Sequence, residues 1–120
     1  MMSTTQAPIS SELRKTLASL GITQNYMGYY QAAYAIGLAL ENENCLLNVS
    51  REIYQRIADL DGCKPSTVER NIRTVAHLAW EMNPKLLTEM AGYHLTEPPK
   101  PAEFIALVTN YLLRHAPEKL

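Results

Sequence analysis

Between Val49 and Met82 two runs of helical periodicity meet at five residues that no single helix can contain. In the first run Ile53, Ile57 and Leu60 return at helical spacing and give one apolar stripe. Ser50 stands at its start, where a hydroxyl can accept from the free N–H groups of a first turn. Asp61-Gly62-Cys63-Lys64-Pro65 then stops the run: Gly62 suits the left-handed conformation of a C-cap, and Pro65 cannot continue a helix behind it. Ser66 opens the second run with a capping box, S-x-x-E, in which Glu69 reaches back to the cap. Val68, Ile72, Val75, Ala79 and Met82 follow at steps of four, three, four and three. The expectation is a helix, a short turn and a longer helix, with both apolar stripes closing on one core.

At about 100° per residue the second helix sorts into two faces. Opposite the apolar five lie Ser66, Arg70, Arg73, Thr74 and His77, so its first three turns present donors and positive charge. Such a helix suits the major groove of DNA, where arginine grips guanine O6 and N7 while Ser, Thr and a helix N-terminus hold phosphates. On pattern alone an ordinary amphipathic helix with a solvated face is the commoner outcome, because look-alikes abound in all-α proteins.

The run S-x-V-E-R-x-I-R, present as Ser66, Val68, Glu69, Arg70, Ile72 and Arg73 and followed by Ala79-Trp80, adds a second line of argument. It resembles the C-terminal DNA-binding domain of the sporulation stage-zero response regulator, the master transcription factor of endospore-forming bacteria. Further matches stand in order along the chain: Gly21 seven residues before Gly28-Tyr29, Ala35-Ile36, Ile53, Tyr54, Ile57 and Ala58, Gly92-Tyr93, and Glu103 to Val108. Together they run from about Leu13 to Arg114. The resemblance implies an all-α, compact bundle of about six helices containing a helix–turn–helix. It implies sequence-specific binding of double-stranded DNA in transcription regulation, with no cofactor.

On that footing Glu69, Arg70 and Arg73 are expected to read bases, with Arg70 or Arg73 on guanine and Glu69 accepting from a cytosine amine or orienting an arginine. Lys64, Ser66, Thr74 and His77 are expected to position phosphates. Thr74 stands where the family usually has histidine and Asn71 where it has alanine. These two departures leave room for a DNA element other than the family's A·T-flanked one with a central G·C pair. A receiver domain precedes this one in the two-part family; these 120 residues have no room for it, so neither a phosphoacceptor aspartate nor a receiver switch is expected in this chain.

Charge argues the other way. The formal net charge is −1 and the pI near 6.3, which is no basic signature. Between Ser50 and His77, Arg51, Arg56, Lys64, Arg70 and Arg73 face Glu52, Asp59, Asp61 and Glu69, a local excess of one. Phosphate neutralisation supplies most non-specific affinity, so that component should be weak and salt-sensitive. A rival reading follows: a protein-interaction module that pairs with a full-length relative and blocks or redirects it.

The remaining segments fit one domain. Residues 1–9 are expected to be a disordered lead-in, 10–115 the helix–turn–helix domain, and 116–120 a frayed end. Ser10 or Ser11 caps a short helix carrying Leu13, Leu17 and Leu20, ended by Gly21, and Thr23 to Asn25 form a polar turn. A longer helix is expected from about Tyr26 to Glu41, in which Gly28 and Gly37 imply close packing of another helix. The tyrosines at 26, 29, 30 and 34 suit core packing with hydroxyls at the rim better than a ligand cage.

Glu41 to Asn44 break the pattern. The resemblance implies a contact with RNA polymerase near there, but this segment is shorter and more acidic, so that contact is not carried over to particular residues. Asn83-Pro84 starts a short helix to Met90, the prolines at 98, 99 and 101 stiffen a loop, and Pro101 begins a last helix with Phe104, Leu107, Val108, Tyr111 and Leu112 on its apolar face. In the family this helix helps to pair neighbouring copies on DNA. Without a sustained heptad seam, a monomer that pairs only on tandem sites is expected.

No enzyme is expected. His77, His94 and His115 fall on three different elements without a partner at ligand or triad spacing, and there is no phosphate-binding glycine loop. Cys45 and Cys63 lack metal-like spacing and read as buried thiols in a cytoplasmic protein. Neither a leader peptide nor an apolar run near the ~20 residues of a membrane span is present, so no membrane partner is expected.

Overall fold

A computed structural model describes residues 9–115. Six α-helices carry the chain: α1 (Ser11–Ser19), α2 (Tyr29–Glu41), α3 (Gln55–Asp61), α4 (Pro65–Met82), α5 (Pro84–Ala91) and α6 (Pro101–His115). A 3-10 helix, Glu43–Asn48, and a π-helical turn, Ser50–Tyr54, lead into α3. No strand occurs among the described residues. The lead-in expected to be disordered, apart from Ile9, and the end expected to fray lie outside them. Ile9 itself is half-buried against the core.

The centre is α2, whose Ala32, Ala33, Ala35, Ile36, Gly37, Leu38 and Ala39 are all buried. A helix apolar on nearly every side must be covered on nearly every side. Here α6 and α4 pack on it, with α1 and α3 adding smaller contacts. Its small residues allow the neighbours close in. The expected start at Tyr26 is three residues early, because Gly28 sits at φ 89 and interrupts the helical path. The packing expected at Gly28 is nonetheless present: a Cβ there would lie 2.9 Å from the carbonyl oxygen of Asn71 on α4.

Leu13 and Leu17 of α1 are buried and Ser10 caps it, its hydroxyl accepting from the Leu13 N–H at 3.1 Å. On α5 the side chain of Asn83 caps Leu86 N–H, and Gly92 ends the helix. Pro101 begins α6 as expected, burying Phe104, Ile105, Leu107, Val108 and Leu112, while Tyr111 is half-buried. Of the tyrosines, Tyr29 is buried and Tyr34 half-buried on the core, whereas Tyr26 and Tyr30 are exposed. Cys45 is buried and Cys63 only half-buried; both are free thiols.

Buried within α6, the Thr109 hydroxyl has no hydrogen-bond partner among the described residues. An unpaired buried hydroxyl costs about 1–3 kcal/mol, and valine has the same shape without it. Thr109→Val is therefore expected to stabilise the domain by about 1 kcal/mol, a rise in melting temperature of roughly 4 °C. Thermal unfolding followed by circular dichroism measures it; a lower melting temperature would show that the hydroxyl is satisfied in solution.

Candidate nucleic-acid interface

The expected pair of helices is α3 and α4, which pack on each other and are joined by Gly62, Cys63 and Lys64. Gly62 takes the left-handed conformation at φ 67 and donates to the Ala58 carbonyl, closing α3. Both expected N-caps are placed differently. The chain is already helical when it reaches Ser50, since Val49 has φ −61 and ψ −36; Asn48 caps instead, its Oδ1 accepting from Arg51 N–H at 3.2 Å. Pro65 is the first residue of α4, with Lys64 as the extended cap residue, so Ser66 lies inside the helix and the capping box does not form. Proline at the first position needs no partner for an N–H it lacks, and the cap lies two residues earlier than expected, at Lys64 instead of Ser66.

Val68, Ile72, Val75 and Ala79 of α4 are buried as expected, joined by Ala76. Met82, the last residue of the helix, is 57% exposed and lies against Gly21. Leu60 is likewise exposed. The buried arc of the preceding segment runs through Ile53, Tyr54, Ile57 and Ala58, which leaves Leu60 at its edge.

With α4 held by those residues, its other face is open. Ser66, Arg70, Arg73, Thr74 and His77 are exposed and Glu69 is half-exposed along one side of the helix, and Lys64 is exposed just before its first turn. Glu69 and Arg73 form an i,i+4 ion pair at 3.2 Å. Such an exposed pair contributes only about 0.3–0.5 kcal/mol, so it orients the guanidinium more than it holds the fold. Thr74 is less free than its exposure suggests: its hydroxyl donates to the Arg70 carbonyl at 3.2 Å. As a donor to a phosphate it must first turn away from its own helix.

Asn71 does not join this face. Its amide donates to Gln31 Oε1 at 2.9 Å, and Gln31 in turn donates to Asp61 Oδ2 at 2.8 Å. This chain of amides ties α4, the start of α2 and the end of α3 together beside the turn. Residue 71 is thus a bracing position.

The Glu69–Arg73–His77 edge of α4 forms one wall of a groove of about 740 Å³. Leu47, Asn48, Val49, Ser50 and Tyr54 make a second wall, and the segment from Glu97 to Glu103 a third. Sequence reasoning missed Tyr54 and the third wall as parts of this site. Only the proline run hinted at a rigid element, and no spacing rule brings it beside α4.

Tyr54 is buried, and burial pushes its hydroxyl up to about 12, helped by the negative charge of Glu69 and opposed by Arg73. In the unfolded chain tyrosine ionises near 10, so between pH 10 and 12 the unfolded state loses a proton that the folded state keeps. Stability from this group is intact below pH 10 and falls by about 2–3 kcal/mol as the pH climbs through that window. Tyr54→Phe should flatten that part of the alkaline melting profile; an equally steep profile in the variant would contradict the assignment.

No cluster of three metal-binding side chains occurs among the described residues, and no helix there is long and apolar enough to cross a membrane. A family model described as the sporulation initiation factor Spo0A C-terminal domain matches residues 13–112. The chain belongs to that family.

Proposed function

We propose that this member of the Spo0A C-terminal family binds double-stranded DNA sequence-specifically and regulates transcription in the cytoplasm, with α4 as its recognition helix. The observation that carries the reading is the open face of α4, where Ser66, Arg70, Arg73 and His77 project from a helix braced on its other side by four buried apolar residues. Arg70 and Arg73 would meet guanine edges, and Glu69 would orient Arg73 or accept from a cytosine amine. Ser66 and Lys64 at the helix start, with His77 and a rotated Thr74 farther along, would fix the phosphates. Pairing of two copies would occur on tandem sites. A contact with RNA polymerase would accompany activation.

One observation favours a second reading. Tyr26 and Met27 are exposed in the turn before α2 and Tyr30 in its first turn, and Leu60 is exposed at the end of α3, next in sequence to the Asp61 that Gln31 binds. Exposed large apolar side chains suit a protein partner, such as a full-length relative. A gel shift with selected oligonucleotides separates the readings. Binding that survives competitor DNA supports the first, and no binding beside a stable heterodimer supports the second.

A further inference from the structure

We propose that the proline strap between α5 and α6 carries a second DNA contact, in which Lys100 neutralises a backbone phosphate of the duplex that α4 reads. The inference rests on the DNA-binding reading above and extends it to a segment 23 residues beyond His77. A helix lying in the major groove has a sugar–phosphate backbone along each flank, and the groove beside Glu69, Arg73 and His77 is the space on one of those flanks. Lys100 and Ser50 line it from the two other walls.

The strap holds the backbone at Lys100 still. Pro99 and Pro101 are buried and Pro98 is half-buried, so the backbone is fixed on both sides of Lys100. The Glu103 carboxylate accepts from Lys100 N–H at 3.2 Å and from the Tyr93 hydroxyl at 2.5 Å, which pins the strap to the first turn of α6. Lys100 itself is exposed, and no carboxylate lies within ion-pair distance of its ammonium among the described residues. Of the other acids lining the groove, Glu69 is paired with Arg73 and Glu103 already accepts two hydrogen bonds. Glu97 and Glu103 keep their negative charge beside the lysine, so the contact proposed for the strap is a single phosphate and its contribution modest. An unpaired lysine on a fixed backbone beside the flank of a recognition helix contributes to affinity without reading sequence.

The test is fluorescence anisotropy on a selected duplex and a scrambled one over a salt series, with the wild-type chain, Lys100→Ala, Lys100→Arg and Lys85→Ala. Lys85 is exposed on α5 and does not line the groove. Alanine at 100 keeps the N–H that Glu103 accepts, so the strap should stay in place. Lys100→Ala is expected to weaken both duplexes alike, about threefold to tenfold, and to lower the salt slope by about 0.9. Lys100→Arg and Lys85→Ala should match the wild type. If Lys100→Ala matches Lys85→Ala while the wild type still prefers its selected site, the strap contact is overturned and the reading of α4 stands. If the wild type binds neither duplex, both fall.

Discussion

Replacing Gly28 by alanine is expected to destabilise the domain by about 3 kcal/mol, against about 1–2 kcal/mol for the same change at Gly62. Both glycines hold a left-handed backbone, at φ 89 and φ 67. They differ in what surrounds them. A Cβ at Gly62 meets nothing within 4 Å, whereas at Gly28 it would stand 2.9 Å from the Asn71 carbonyl oxygen and 3.1 Å from the Asn71 Cβ. Backbone cannot move aside as a side-chain tip can, so α2 and α4 must separate or tilt. The melting temperature of Gly28→Ala should fall by roughly 8–12 °C. Because the displaced element is the recognition helix, DNA affinity should fall with it. Equal melting temperatures for the two variants would mean that α4 does not approach Gly28 this closely.

Arg73→Ala is expected to leave the fold nearly untouched and to cost about 1–3 kcal/mol in binding to the preferred DNA site, with relaxed discrimination at one base pair. The side chain is 47% exposed and its pair with Glu69 is a surface pair, so little stability is at stake. Non-specific binding should change less than specific binding, because a base contact is missing. Lys64→Ala should do the opposite, weakening all sequences alike and flattening the salt dependence. Competition binding with single-base variants of the site separates the two patterns. An Arg73→Ala protein that unfolds, or that keeps its full preference, would place the reading face elsewhere on α4.

Local periodicity carried the helices because it reports a local fact, namely which side of a helix lacks water. Val68, Ile72, Val75 and Ala79 are buried for that reason, and Phe104, Leu107, Val108 and Leu112 likewise. Caps were less legible. Ser50 and Ser66 stand in good capping contexts, but each follows a residue already in helical conformation, Val49 and Pro65, so the capping roles fall to Asn48 and Lys64. Leu60 and Met82 fit their stripes and are exposed, because a stripe says nothing of where covering elements end.

The site divides in the same way. The polar face of α4 could be read from its spacing, whereas the Asn71–Gln31–Asp61 brace and the placement of Tyr54 and Lys100 around the same groove as Arg73 depend on segments brought together only by folding. Asn71 illustrates the difference. It sits among the groove-facing residues in sequence and turns to α2 in the structure.

The central claim, that α4 reads DNA through its open face, is tested most directly by titrating the isotope-labelled chain with a selected duplex and following backbone amide resonances. The account predicts that the largest shifts fall between Lys64 and His77, with a second, smaller set around Lys100, and that α1 and α5 stay nearly unchanged. Shifts centred on Tyr26, Met27 and Tyr30, or none at a duplex excess that saturates a family member, would contradict it.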